Sequence, residues 1–232
     1  FLLHGVTGSG KTEVYLRAIE TVLDQNRSAL VLIPEIALTP QTMTRFRARF
    51  GGLVGILHSG LGQGERFDEW QLVRRGVRRV VVGTRSAVFA PIKDLGLVIV
   101  DEEHDPSYKQ SDPAPRYNGR DVAVVRAHMA GAVAVLGSAT PAAESYFNAQ
   151  KKKYSLWTMS TRVAERPLPR VRVIDMRGRP EGEQILSQDL QVALLERRER
   201  GEQSILFLNR RGFATSMACR KCGHVVVCPH CS

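Results

Sequence analysis

Lys11 and Thr12 close the string Gly-Val-Thr-Gly-Ser-Gly-Lys-Thr at residues 5–12, which fills every fixed position of G-x-x-x-x-G-K-[ST]. Glycines at 5, 8 and 10 let the backbone curl until successive N–H groups converge on phosphate oxygens. Gly5, Val6, Thr7, Gly8, Ser9, Gly10, Lys11 and Thr12 are therefore the expected nucleotide cradle. Lys11 carries a compact positive charge to the β- and γ-phosphates, and the Thr12 hydroxyl is a candidate Mg²⁺ ligand. Phe1-Leu2-Leu3 reads as the end of a buried strand, and Val14, Ala18 and Val22 recur at helical spacing over residues 13–23. A helix N-terminus would thus aim its dipole at the anion. The plain alternative is a glycine-rich turn that fits by accident, and the strand–loop–helix setting argues against it.

A second constellation is Asp101-Glu102-Glu103-His104, placed directly after the apolar run Leu97–Val100. A carboxylate ending a buried strand opposite a phosphate loop is where Mg²⁺ has to be held, and its neighbour can polarise the attacking water. That makes Asp101 the metal-side candidate and Glu102 the general-base candidate. Taken alone, such a cluster is more often a solvated strand end; the phosphate loop changes its reading. Gly137-Ser-Ala-Thr140 follows Val133–Leu136, and its small hydroxyl residues suit a link between a hydrolytic site and a moving element.

The four cysteines, Cys219, Cys222, Cys228 and Cys231, fall in a C-x₂-C-x₅-C-x₂-C pattern. Two such pairs have ligand spacing for Zn²⁺ as thiolates and point to a reducing compartment. They can close one tetrahedral site, with His224 and His230 as substitute ligands. His4 and His128 read as structural or surface residues.

The elements that must position these groups alternate in a βαβ rhythm up to about residue 150. Strands are expected at Ala29–Ile33, Leu53–Leu57, Arg79–Val82, Leu97–Val100 and Val133–Leu136, several of them apolar throughout, as in a parallel sheet covered on both faces. Helices are expected at Glu13–Gln25, Gln41–Phe50, Glu65–Arg75, Arg120–Ala130 and Pro141–Gln150. The fold class is α/β, a doubly wound parallel sheet whose ligands sit at the carboxyl ends of the strands. Lys151–Lys153 and Pro167–Pro169 mark residues 151–170 as a connector. Val171–Asp175 reads as a strand, Ser187 as the cap of a helix reaching Arg200, and Ser204–Leu208 as another strand. Residues 171–218 would open a second α/β lobe, and residues 219–232 a cysteine-rich region.

The 232-residue chain has 43% hydrophobic and 24% charged residues, ordinary for a globular protein. A net charge of +10 and a pI near 9.9 favour a polyanionic partner. No apolar run approaches the ~20 residues that cross a bilayer, so a membrane is not an expected partner. The chain has no signal peptide and opens in mid-strand, which leads us to expect a piece of a longer protein.

The three segments at 5–12, 101–104 and 137–140, in this order, resemble motifs I, II and III of superfamily 2 helicases and translocases. Further strings narrow the resemblance to the PriA family of replication-restart helicases: Pro34–Gln41, Leu57–Gly60 (containing His58), Val82–Pro91, Tyr108–Gln110, Pro115–Tyr117 with Arg120-Asp121, and Phe207–Phe213. This likeness implies a RecA-like ATP-binding lobe over residues 1–150 and the start of a second RecA-like lobe. It implies ATP, Mg²⁺ and Zn²⁺ as cofactors, and 3′-to-5′ unwinding of DNA at stalled forks with reloading of the replicative helicase. His104 would be a catalytic relay between the nucleotide and DNA sites. Thr39, Gln41, Thr84, Arg85 and Ser86 would contact the DNA backbone, although Thr39 also suits a helix N-cap.

Tyr108, Lys109, Arg116 and Tyr117 would lie in an aromatic-rich loop, stacking on single-stranded bases and neutralising phosphate. The family's usual histidine after Pro-Arg-Tyr is Asn118 here, which removes a role for position 118 itself. In the family each cysteine pair finds its partner pair downstream, giving two half-sites in place of one closed site. Single-strand-binding protein, a helicase loader and the replicative helicase are the implied partners, in a bacterial cytoplasm at the nucleoid. A chain with only the start of a second lobe would hydrolyse ATP poorly. Two rivals stay open: another P-loop enzyme, for which neither Leu-Ser-Gly-Gly-Gln nor Asn-Lys-x-Asp is present, and a zinc-ribbon nucleic-acid binder with a vestigial loop.

Overall fold

A computed structural model describes residues 1–163, 170–175 and 186–207, together with the backbone of two short strands at 217–218 and 225–226. The chain divides into two compact units, Phe1–Leu168 and Pro169–Ser232.

The first unit is built on strands β1 (Leu2–Gly5), β2 (Ser28–Leu32), β3 (Val54–Leu57), β4 (Val80–Gly83), β5 (Leu95–Asp101), β6 (Val133–Ser138) and β7 (Leu156–Met159). They form one seven-stranded sheet in the order β3-β4-β2-β5-β6-β1-β7, with every pair parallel. Helices α1 (Lys11–Asp24), α2 (Pro40–Phe50), α3 (Gln63–Arg75), α4 (Gly119–Met129) and α5 (Ala143–Gln150) make the connections. This is the α/β parallel sheet expected from the β-α rhythm, with element ends within a few residues of those read from the sequence.

The apolar strands are explained by the two cores they serve. Alternate side chains project to opposite faces, so Leu30, Leu32, Val98, Val100 and Leu136 pack with α3 and α4 through Val73, Ala123 and Ala127. Their neighbours Val31, Ile99 and Val135 pack on the other face with Tyr15 and Ile19 of α1 and Phe46 and Phe50 of α2. Burying both faces leaves no position for a polar residue until the strand ends.

In this unit one element departs from expectation. Leu156–Met159, read as part of a connector, pairs in register with β1 (Leu2 opposite Leu156, Gly5 opposite Met159) and forms the sheet's edge. Leu156 and Trp157 stay 42% and 46% exposed, as suits a strand with a neighbour on one side only. Trp157 stacks on Phe1 with ring centroids 4.4 Å apart.

In the second unit, α6 (Gln188–Glu199) begins as expected, with the Ser187 hydroxyl accepting from the Leu190 N–H at 3.1 Å. Residues 171–175 and 204–207, expected as strands, are not in strand conformation. Val173, Ile205 and Phe207 are exposed there, and apolar alternation makes a strand only where a neighbour exists to pair with. Leu208 lies outside the described residues. β8 (Met217–Ala218) and β9 (Val225–Val226) form an antiparallel pair.

Candidate nucleotide site

The carboxyl ends of β1, β6 and β5 lie side by side and carry Gly5, Gly137 and Asp101 in turn. Asp101 sits directly opposite Gly137 in the β5–β6 register. The loop after β1 and the acids after β5 thus face each other across one intervening strand, and together they line a cleft of about 510 Å³.

The cradle has the geometry that its glycines predict. Gly8 and Gly10 adopt left-handed backbone, φ 81° and 93°, which glycine adopts without steric cost. A Cβ on Gly5 would stand 2.6 Å from the Ser9 hydroxyl and 3.1 Å from the Lys11 stem. Gly10 caps α1 without any side-chain hydrogen bond; the Glu13 N–H donates to the Gly10 carbonyl at 2.9 Å, and the Lys11 and Thr12 N–H groups remain for an outside acceptor. The loop is held from behind: Val6 N–H donates to the Met159 carbonyl at 3.1 Å, and Val163 N–H to that of Gly8 at 3.0 Å. Buried Lys11 donates to the Gly5 carbonyl at 2.7 Å. Ser9 Oγ is buried with no partner among the described residues. A buried lysine resting on a loop carbonyl, an unsatisfied hydroxyl and free helix N–H groups are a donor set suited to a polyphosphate.

Asp101 is anchored twice. Tyr15 of α1 donates its hydroxyl to Asp101 Oδ1 at 2.9 Å, and Tyr108 donates to the Asp101 backbone carbonyl at 2.6 Å. Burial pushes the Asp101 carboxyl above its ordinary value, with the Tyr15 bond acting in the opposite sense. Glu102 is raised as well, by burial and then by the charge of Asp101. Its backbone is left-handed at φ 45°, which costs a non-glycine residue roughly 1–2 kcal/mol. Thr12, Asp101 and Glu102 line the same cleft. Hydroxyl and carboxylate oxygens are the hard donors that Mg²⁺ prefers, and they fit that ion.

His104 bridges the acids to the segment after β6. Its Nδ1 is 2.8 Å from Ser138 Oγ and 3.7 Å from a Glu102 oxygen, and its Nε2 is 3.4 Å from Thr140 Oγ1. Ser138 Oγ also accepts the Thr140 N–H at 2.9 Å.

Sequence reasoning gave Glu103 no role, yet its side chain is fully buried and well bonded. One carboxylate oxygen accepts the Ala142 N–H at 2.7 Å; the other accepts from Ser145 Oγ at 2.7 Å and the Arg120 guanidinium at 3.2 Å. It ties the acids after β5 to the starts of both α4 and α5. The available signal was an acid beside two acids already assigned chemistry, with an arginine 17 residues on.

The expected DNA-contact residues divide. Thr39 is the exposed N-cap of α2, accepting the Thr42 N–H at 3.2 Å, and Gln41, Ser86, Lys109 and Arg116 are exposed. Thr84 is buried at 3% exposure, so its hydroxyl does not face a backbone phosphate. Arg85 spends its guanidinium on the Ser107 and Lys109 carbonyls at 3.1 and 3.3 Å, and lies 5.8 Å from the Tyr117 ring centroid, which Phe89 also meets edge-on. The larger correction is Tyr108. It is 1% exposed, and its ring is packed into the core beneath Asp101, so it does not stack on bases; Tyr117 is the half-buried aromatic of that loop. Asn118 caps α4 by accepting the Arg120 N–H at 3.0 Å. Cys219, Cys222, Cys228 and Cys231, with His224 and His230, lie outside the described residues.

Residues 1–147 match the DEAD/DEAH box helicase family. The chain is 51% identical to the replication restart protein PriA of Bacillus subtilis (strain 168), across 100% of this chain and 29% of that protein. It is 48% identical to the replication restart protein PriA of Chlamydia pneumoniae, across 99% of this chain and 31% of that one. A crystal structure of the Pyrococcus furiosus Hef helicase domain aligns with a TM-score of 0.49 at 21% identity, covering 68% of this chain and 35% of the other. The chain spans about three tenths of the length of the curated relatives it matches. Among the described residues no helix is long and apolar enough to cross a membrane.

Proposed function

The chain belongs to the DEAD/DEAH box helicase family, and from that premise we propose that it supplies the ATP-binding lobe of a bacterial DNA helicase that restarts stalled replication. The observation that carries this reading is the single cleft shared by Lys11, Thr12, Asp101 and Glu102.

In this reading Lys11 leaves the Gly5 carbonyl for the β- and γ-phosphates, and Ser9 with the first N–H groups of α1 cradles the remaining oxygens. Thr12 and Asp101 hold Mg²⁺, whose charge offsets that developing on the phosphoryl oxygens. Glu102 orients water and accepts its proton; a carboxyl raised by burial is a stronger base than an exposed one. His104, bonded to Ser138 and Thr140, transmits the state of Glu102 to the segment after β6. DNA is the proposed polyanionic partner, engaged without sequence preference at forks by Thr39, Gln41, Ser86, Lys109, Arg116 and Tyr117. The relatives' shared name, replication restart protein, supports the fork as substrate. Translocation 3′-to-5′, reloading of a replicative helicase, zinc at the four cysteines and a cytoplasmic location belong to the same proposal.

The test is equilibrium binding of a fluorescent ATP analogue with Mg²⁺. Wild-type chain should bind it, and Lys11→Ala should weaken binding at least tenfold. Equal affinity in the two proteins would sink the nucleotide assignment and favour a non-motor nucleic-acid binder.

A further inference from the structure

Arg45 stands in the second turn of α2, on the face turned toward α1. It lines the 510 Å³ cleft together with Lys11 and Thr12, and also a smaller cavity of about 90 Å³ that it shares with Thr12, Tyr15 and Asp101. The helix that carries it is fastened to α1 one turn further on, where the Arg49 guanidinium is 3.0 Å from Glu20 and 4.0 Å from Glu13. Glu13 also faces the cleft, but its carboxylate is already paired with Arg17 at 2.9 Å. Arg45 has no hydrogen-bond or ion-pair partner among the described residues. The cleft is therefore lined by an exposed arginine that no carboxylate neutralises, beside the loop whose other groups suit phosphate.

A planar, permanently charged fork of N–H donors matches phosphate oxygens better than any other side chain. We infer that Arg45 is a further phosphate-binding residue of the nucleotide site, contributed in cis by α2 and acting alongside Lys11. The inference rests on the ATP-binding reading above and deepens it. It also gives α2 two duties, because the helix begins at Thr39 and Gln41, the residues proposed to meet the DNA backbone. One rigid element then touches a phosphate of each ligand, so a shift of α2 on DNA is felt in the cleft.

The experiment compares wild type, Arg45→Ala, Arg45→Lys and Lys11→Ala by fluorescence titration with N-methylanthraniloyl-ATP and, as a phosphate-free control, N-methylanthraniloyl-adenosine. Thermal melting checks that each variant folds. Arg45→Ala is expected to weaken the triphosphate probe about tenfold, the scale of one charge-assisted hydrogen bond, and to leave the adenosine probe unchanged. Arg45→Lys is expected to recover part of the loss. Unchanged triphosphate affinity in Arg45→Ala, with Lys11→Ala still impaired, overturns the inference and leaves the nucleotide site standing. An equal loss for both probes also overturns it, by moving Arg45 to the base side. If wild type binds neither probe, the reading beneath the inference fails as well.

Discussion

The hydroxyl of Tyr15 crosses the end of β6 to reach Asp101, 2.9 Å away. Its path runs directly over Gly137, where an added Cβ would lie 1.7 Å from the hydroxyl oxygen. The helix that begins at the phosphate loop is thereby bonded to the acid proposed to hold the metal, and the strand between them stays bare to let that happen.

Removing the hydroxyl should weaken metal use while leaving the fold. The Tyr15 bond lowers the Asp101 carboxyl against the upward push of burial. In Tyr15→Phe the carboxyl rises further, and the Mg²⁺ concentration needed for half-maximal binding of a fluorescent ATP analogue should rise several-fold at pH 7. An unchanged Mg²⁺ requirement would show that Tyr15 only fills space.

Gly137→Ala should damage the protein more than an alanine normally does in a strand. The methyl must displace a buried tyrosine ring, and overpacking of this kind costs about 1–3 kcal/mol or more. Chemical denaturation should show the loss. Gly137→Ala combined with Tyr15→Phe should recover part of it, since the worst clash is with the hydroxyl oxygen and a ring carbon at 2.8 Å is the nearest that remains.

For Glu103, the expected cost is that of a buried charge network broken on one side. Glu103→Ala leaves the Ala142 N–H and the Ser145 hydroxyl without their acceptor and the Arg120 guanidinium with Asp121 alone, and should destabilise the chain by about 2–4 kcal/mol. Glu103→Gln keeps the shape and an acceptor, and should cost clearly less. Urea melts of the two variants check the order; equal, small losses would show the network to be idle.

Asp101 and Glu102 give a pH dependence with a definite sign. Burial holds both carboxyls above their ordinary values of 3.8 and 4.5. The folded chain binds these protons more tightly than the unfolded chain. The ionised pair therefore costs stability above the raised values, and the cost disappears as the pH falls below the ordinary ones. Asp101→Asn should melt higher than wild type at pH 7 without nucleotide, and the gap should close on acidification. Each kcal/mol corresponds to about 2–4 °C in a chain of this size. With the Mg²⁺-bound ATP analogue the order should reverse.

Most of the sheet was legible because strands buried on both faces have to be apolar throughout, and a phosphate loop leaves little freedom in its glycines. Residues whose place is set by distant partners were not. Glu103 looks like one more acid until Arg120 and Ser145, the latter 42 residues away, are brought to it. Tyr108 lies in a polar, proline-rich stretch that reads as a surface loop, but the Asp101 carbonyl satisfies its hydroxyl and lets the ring go inside. Conversely, Val171–Asp175 reads as a strand, yet among the described residues no strand pairs with it. Leu156–Met159, which follows a run of three lysines and reads as connector, is a strand because β1 offers it a free edge.

The position of β1 in the sheet also sets a schedule. Its Leu2 is flanked by Leu136 on one side and Leu156 on the other, so both neighbours are made long after it. Parallel pairing over such separations is slow to form. Lys11 and Thr12 therefore leave the ribosome well before the two strands that flank β1. A nascent chain stalled before Met159 should not retain ATP, whereas one released beyond it should.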